Sequence, residues 1–216
     1  MLARSIDKAF TPKRGRPNAK QVAAIEHAIL ATASRMFLEA GYDAVAMEAI
    51  AAVTGVSKGT LYARYSSKEA LFTAVIRQRV QDWSWAAGQE DHLLTSDIGE
   101  RLRHHALTIA RSLLLPEVSA FQRLTVATRE RFPELARAMY EVGYLFIVRL
   151  LTRDIMEAAI RDGIPARDPE GTARLLVSAL AGWELQESSN GPINEADIVR
   201  AANRTVDLLM AARESW

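Results

Sequence analysis

Cysteine is absent from the 216 residues. That excludes disulfides, thiolate metal sites and cysteine nucleophiles, and it is compatible with a reducing compartment. With 7 prolines and 11 glycines, the chain has too little of either for a loop-rich or low-complexity protein. No apolar run approaches the ~20 residues of a membrane span. The N-terminal stretch has no apolar segment of the kind a secretory signal carries, so a cytoplasmic protein with no membrane partner is expected. The sequence also lacks a nucleophile elbow, a phosphate loop and any His/Asp/Glu spacing that suits a metal, so neither catalysis nor a cofactor is expected. What remains is 49% hydrophobic and 25% charged, a composition suited to helices and long enough for one large or two small domains.

The net charge of +1 hides an asymmetry. Residues 1–80 hold 12 Lys/Arg against 6 Asp/Glu, whereas residues 81–216 hold 15 against 20, and all five lysines lie in the first part. A basic N-terminal third on an acidic remainder points to a polyanion bound at one end.

Periodicity predicts an all-α protein of about nine helices. The apolar residues Ile25, Ile29, Met36, Phe37 and Ala40 recur at helical spacing over about 18–40, with Gly41 as a stop. Met47 to Tyr65 reads as a helix, a tight glycine turn and a second short helix. A long helix is expected over about 67–87, opened by Ser66-Ser67-Lys68-Glu69 as a capping box. Five more follow at about 96–114, 116–130, 133–162, 169–188 and 195–213. Pro116, Pro133 and Pro169 fit first-turn positions, while Asp162-Gly163-Ile164-Pro165 and Asn190-Gly191-Pro192 mark stops. The domains are expected at 1–17 (a flexible basic arm), 18–66 and 67–216.

The 47–65 segment carries the functional signal. In a helix-turn-helix, Ala51 is small where the two helices touch, Gly55 allows a positive φ in the turn, and Leu61 is the apolar plug between helices. Ser57 is a good N-cap for the second helix. Ser57, Lys58, Gly59, Thr60, Tyr62 and Tyr65, followed by Lys68, form the candidate DNA-contact set. Tyr62 and Tyr65 stand three apart, and one of them is expected to pack inward.

The run from Gly41-Tyr42 through Ile50-Ala51, Gly55-Val56-Ser57-Lys58-Gly59-Thr60-Leu61-Tyr62, Tyr65 and Ser67-Lys68-Glu69-Ala70-Leu71 resembles the DNA-binding signature of the TetR family of bacterial regulators. The match covers about 50 residues. It implies an N-terminal three-helix reader and a C-terminal helical domain that binds a small molecule and dimerises, of the multidrug- or lipophile-responsive type. One position departs from the family: a threonine usually stands just before the first reader helix, where this chain has Val45-Ala46. Its loss weakens capping by about 1 kcal/mol, with Asp43 as a substitute cap, and no DNA contact is carried onto Ala46.

Lys13-Arg14-Gly15-Arg16-Pro17 resembles the core of an AT-hook, in which arginines enter a narrow A·T minor groove. Arg14 and Arg16 join the DNA-contact set on that basis, and a solvated tail attracted only to phosphates is the alternative.

The last two helices carry apolar stripes, Leu176, Leu180 and Trp183 on one and Ile198, Ala202, Val206 and Leu209 on the other. The resemblance implies a homodimer through a four-helix bundle built from them, and the same stripes also suit an intramolecular core. A pocket for an apolar or amphipathic effector is expected between reader and interface, with His105, Phe121, Tyr140 and Tyr144 as candidate lining. The resulting expectation is a homodimeric repressor released from a pseudo-palindromic DNA operator by a small molecule. The alternative is an architectural factor or activator with no effector.

Overall fold

A computed structural model describes residues 19–88 and 95–216, with backbone only at 83–88. The basic arm, and with it Arg14 and Arg16, lies outside the described residues. No strand occurs among those residues. The helices are α1 (Ala19–Ala40), α2 (Met47–Thr54), α3 (Lys58–Arg64), α4 (Lys68–Gly88), α5 (Ile98–Leu113), α6 (Pro116–Thr128), α7 (Pro133–Ala138), α8 (Leu145–Asp162), α9 (Pro169–Asn190) and α10 (Glu195–Ala211). A π-helical segment, Met139–Tyr144, joins α7 to α8, so the single helix expected over 133–162 is one helical run with a widened turn inside it.

The punctuation follows the sequence closely. Prolines 116, 133 and 169 each open a helix, where the missing N–H costs little. Gly41, Gly55 and Gly163 take φ of 81°, 70° and 67° at helix ends, a left-handed geometry that a Cβ disfavours. At the start of α4 the cap is Ser67 and not Ser66. The Ser67 hydroxyl accepts from the Ala70 amide at 3.1 Å, and its hydrogen bond to Glu69 is the first cause holding that carboxylate below its usual range.

The chain divides into two compact units, one through Gln78 and one from Arg79 onward. The boundary lies inside α4 and not at its start, because Leu71, Phe72, Val75 and Ile76 are buried in the first unit. That unit centres on three rings, Phe37, Tyr42 and Phe72, with centroids 5.4–5.6 Å apart and each fully buried. Phe72 meets both other rings edge-to-face, a geometry that adds roughly 0.5–1.5 kcal/mol per pair beyond the area buried.

In the second unit α5, α8, α9 and α10 share one core. Here the expected dimer stripes need correction. Leu176, Leu180, Ile198, Ala202, Val206 and Leu209 are all buried at 7% exposure or less within this single chain, and Trp183 is half-buried against the same core. Side chains already removed from water have little area left to bury against a partner. The strongest apolar stripe of each helix serves its own core.

Candidate nucleic-acid interface and ligand cavity

Within the first unit, α2 and α3 form the expected bihelical motif. Ala51 is buried where α2 meets α3, and Leu61 is fully buried as the plug. Gly55 ends α2 with its N–H on the Ala51 and Ala52 carbonyls, and the Val56 N–H returns to Ala51 O at 3.1 Å, a left-handed stop that satisfies the last free carbonyls. Ser57 caps α3: its Oγ accepts from the Thr60 amide at 3.1 Å and lies 2.8 Å from Thr60 Oγ1. At the start of α2, Ala46 is extended and offers no capping side chain. Asp43 contributes its main-chain carbonyl, which accepts from Lys68.

The outer face of α3 is exposed at Ser57, Lys58, Gly59 and Tyr62, with Thr60 half-buried. Glu48, on α2, reaches this face. Its carboxylate lies 3.8 Å from Lys58 Nζ and accepts from the Tyr62 hydroxyl at 3.3 Å. Slight burial and then the Glu48 charge raise the Tyr62 pKa, so its hydroxyl remains a donor.

Two members of the candidate contact set do not share that face. Tyr65 is buried, with its hydroxyl donating to Glu26 at 3.5 Å, and burial followed by the Glu26 charge pushes its pKa up to about 12. It is therefore the inward tyrosine of the pair. Lys68 donates to the carbonyls of Tyr42 (2.9 Å), Val45 (3.0 Å) and Asp43 (3.3 Å), and its ammonium sits 4.5 Å from the Tyr42 ring centroid. An ammonium has three donors, and all three are taken by the turn between α1 and α2. In this structure Lys68 is tied to that turn, with its donors directed at main-chain carbonyls and not at the outer face of α3. Spacing alone misses this because the carbonyls lie 23 to 26 residues away.

The second unit contains a cavity of about 620 Å³, within the range of small-molecule sites. Its wall takes His104, His105, Thr108 and Ser112 from α5, Gln122 from α6, and Met139, Tyr140, Gly143 and Tyr144 from the π segment. Tyr140 and Tyr144 are stacked, with centroids 5.3 Å apart. Arg174 donates to the Tyr140 hydroxyl at 2.9 Å and lies over the Tyr144 ring. Three of the four candidate pocket residues, His105, Tyr140 and Tyr144, therefore meet on one cavity. Phe121 does not: it is fully buried in packing and is not part of the wall.

Beneath the wall lies a charged cluster that the sequence spacing did not reveal. Asp154 is wholly buried and accepts from His105 Nε2 at 2.9 Å, Arg101 at 2.8 Å and Arg153 at 3.1 Å. Burial works to raise its pKa, but hydrogen bonds from His105 and Arg153 and the charge of Arg101 outweigh it and hold the carboxyl at about 2. An ionised carboxylate only accepts, so His105 presents its Nε2–H to Asp154. The available signal was one acidic residue on the inward stripe Val148, Leu151, Asp154, Ile155 and Ala158 of α8.

No group of three or more His, Cys, Asp or Glu among the described residues is arranged to hold a metal, and no described helix is long and apolar enough to cross a membrane. An exposed α3 packed on α2 in a helix-turn-helix, with a second helical unit that encloses a cavity, fits the class of helix-turn-helix DNA-binding regulators. Comparison with known proteins makes it specific. Residues 29–75 match the bacterial regulatory proteins of the tetR family, and residues 100–213 match the C-terminal domain of AefR-like transcriptional repressors. YdeS, an uncharacterized HTH-type transcriptional regulator of Bacillus subtilis, is 30% identical over 154 residues, covering 70% of this chain and 71% of YdeS. A TetR-family transcriptional regulator of Mesorhizobium loti is similar in structure, with a TM-score of 0.73 at 26% identity over 88% of this chain and 96% of that one. The flavonoid-responsive regulator FrrA gives 0.68 at 27% identity, over 88% and 97%. The chain belongs to the TetR family and is a DNA-binding transcriptional regulator, not an enzyme.

Proposed function

We propose that the protein is a homodimeric repressor, working in the cytoplasm, that leaves a pseudo-palindromic operator when a small apolar or amphipathic molecule enters the cavity of its second unit. The observation that carries this reading is that cavity, of a size suited to a ligand and walled mainly by aliphatic and aromatic side chains with a few polar ones. The match to AefR-like repressors supports the repressor direction. The name of FrrA, a flavonoid-responsive relative, supports the response to a small molecule. Occupancy favours a state of lower DNA affinity, and by linkage DNA weakens ligand binding by the same factor.

Ser57, Lys58, Gly59, Thr60 and Tyr62 are the contact set on α3. Binding replaces the Glu48 carboxylate beside Lys58 and Tyr62 with DNA phosphate oxygens. Arg14 and Arg16 extend the footprint into the minor groove. A short recognition helix reads few base pairs, so a two-fold dimer is needed for specificity. Its interface uses the outward faces of α9 and α10, where Leu175, Leu185 and Leu208 stand 59%, 62% and 55% exposed, with the exposed Ala179 and Gly182 between the two α9 leucines. Leu208→Glu should shift the sedimentation profile from dimer to monomer.

The test begins with selection of bound sites from a random DNA pool, which should return two inverted half-sites about one helical turn apart. Fluorescence anisotropy on the selected duplex then screens small molecules for release. Recovery of half-sites with no compound of any class causing release favours the architectural or activating alternative.

A further inference from the structure

The polar groups on the cavity wall are unevenly placed. His104, Thr108 and Ser112 stand four apart on α5, so they form one stripe along one face of the helix. The stripe spans about 12 Å at the helical rise of 1.5 Å per residue. All three are half-buried. Their side chains make no hydrogen bond to another described protein group, and neither does Gln122 on α6. The wall from the π segment and α8 is largely aromatic and aliphatic, with the stacked tyrosines, Phe146, Ile147 and Leu150, and carries Arg153 as its charged group.

Among the described residues, no Asp or Glu lines the cavity. Arg153 does line it, with its guanidinium paired to Asp154 and Glu157. Asp154, the nearest carboxylate in the cluster, is wholly buried and already holds His105 and two guanidiniums. The ring face of Tyr144, which could attract a cation, already carries the Arg174 guanidinium.

From these observations we infer that the cavity takes a hydroxylated aromatic compound, neutral or anionic, whose polar edge lies along His104, Thr108 and Ser112. A cation finds no counter-charge on the wall. A saturated acyl chain leaves the polar stripe unmatched, and unmatched polar groups are what make a site reject an analogue that lacks a hydroxyl. The inference rests on the reading of this cavity as the effector site, and the two can fail separately.

The test is isothermal titration of the full chain with four probes: trans-resveratrol, its tri-O-methyl ether, dodecanoate and crystal violet. Resveratrol should bind at least about tenfold more tightly than the ether. The double variant Thr108→Val, Ser112→Ala should bring the two affinities together. Gln122→Glu, a second and independent variant, should weaken resveratrol and favour the cationic dye. Preference for crystal violet or dodecanoate in the parent, abolished by the cavity-filling Ala181→Trp, overturns the ligand class while leaving the effector site in place. An ether that binds as tightly as resveratrol also overturns the class. No binding by any probe to protein that still binds DNA overturns the ligand class, while the release screen decides the effector site itself.

Discussion

The first unit is full and the second is hollow, and each condition suits a different job. Around Phe37, Tyr42 and Phe72 the reader has buried rings packed on one another, so α3 is held in one position and its outer face does the work. In the second unit, α5, α6, the π segment and α8 surround about 620 Å³ of open space. A dense core fixes a surface for recognising a rigid duplex. A cavity beside a packed core leaves room for a bound molecule to shift an equilibrium between states. The units also differ in how they handle buried charge: the first ties one lysine to main-chain carbonyls, while the second collects a carboxylate, two guanidiniums and an imidazole beside its cavity.

The largest expected effect falls on the full unit. Phe72→Ala leaves a cavity among three rings and should cost about 3–5 kcal/mol, removing DNA binding and the first unit's contribution to thermal unfolding. Full retention of DNA binding would break the contrast.

Next comes the charged cluster of the hollow unit. Asp154→Asn strands two guanidiniums beside a neutral amide and should destabilise the fold by about 3 kcal/mol, in the range for breaking a buried pair. The parent should show the matching pH dependence. The carboxyl titrates at about 2 in the folded chain, below its usual value near 3.9. Its contribution, about 2 kcal/mol, is therefore complete above about pH 4 and disappears as the pH falls towards 2. Urea titrations between pH 6 and 3 should show parent stability falling with acid more steeply than that of Asp154→Asn.

Lys68→Met removes a donor from three carbonyls and should cost about 2 kcal/mol, as expected for hydrogen bonds to a charged group. Chemical denaturation reads this directly.

The smallest effect tests the hollowness itself. A Cβ at Gly143 meets nothing within 4 Å, so Gly143→Ala should gain up to about 0.8 kcal/mol from helix propensity. A loss of stability would show that the π segment is packed as tightly as the reader.

How much of this was legible in the sequence also differs between the units. The reader was legible almost residue by residue, because Ala51, Gly55, Ser57 and Leu61 act through neighbours within a few positions. The helix starts at prolines 116, 133 and 169 were legible for the same reason. Lys68 and Tyr65 escape such a reading because their partners lie 23 to 39 residues away. In the second unit, the stripes on α9 and α10 are apolar as expected, yet periodicity cannot say whether an apolar face meets its own chain or a second copy. Phe121 and His105 look equally suited to a pocket in the sequence; only the packing of α5 and α6 separates the buried ring from the one on the cavity wall. The π turn at Met139–Tyr144 left no periodic trace in a run that reads as one helix from 133 to 162.

Which cations meet DNA is the central question for the reader, and the salt dependence of binding to the selected duplex answers it directly. Lys58→Ala should flatten the slope of log K against log salt by about 0.9 for each phosphate that the variant no longer neutralises, whereas Lys68→Met, corrected for its folded fraction, should keep the parent slope. A flattened slope for Lys68→Met together with an unchanged one for Lys58→Ala would contradict the assignment of the DNA-reading face to α3.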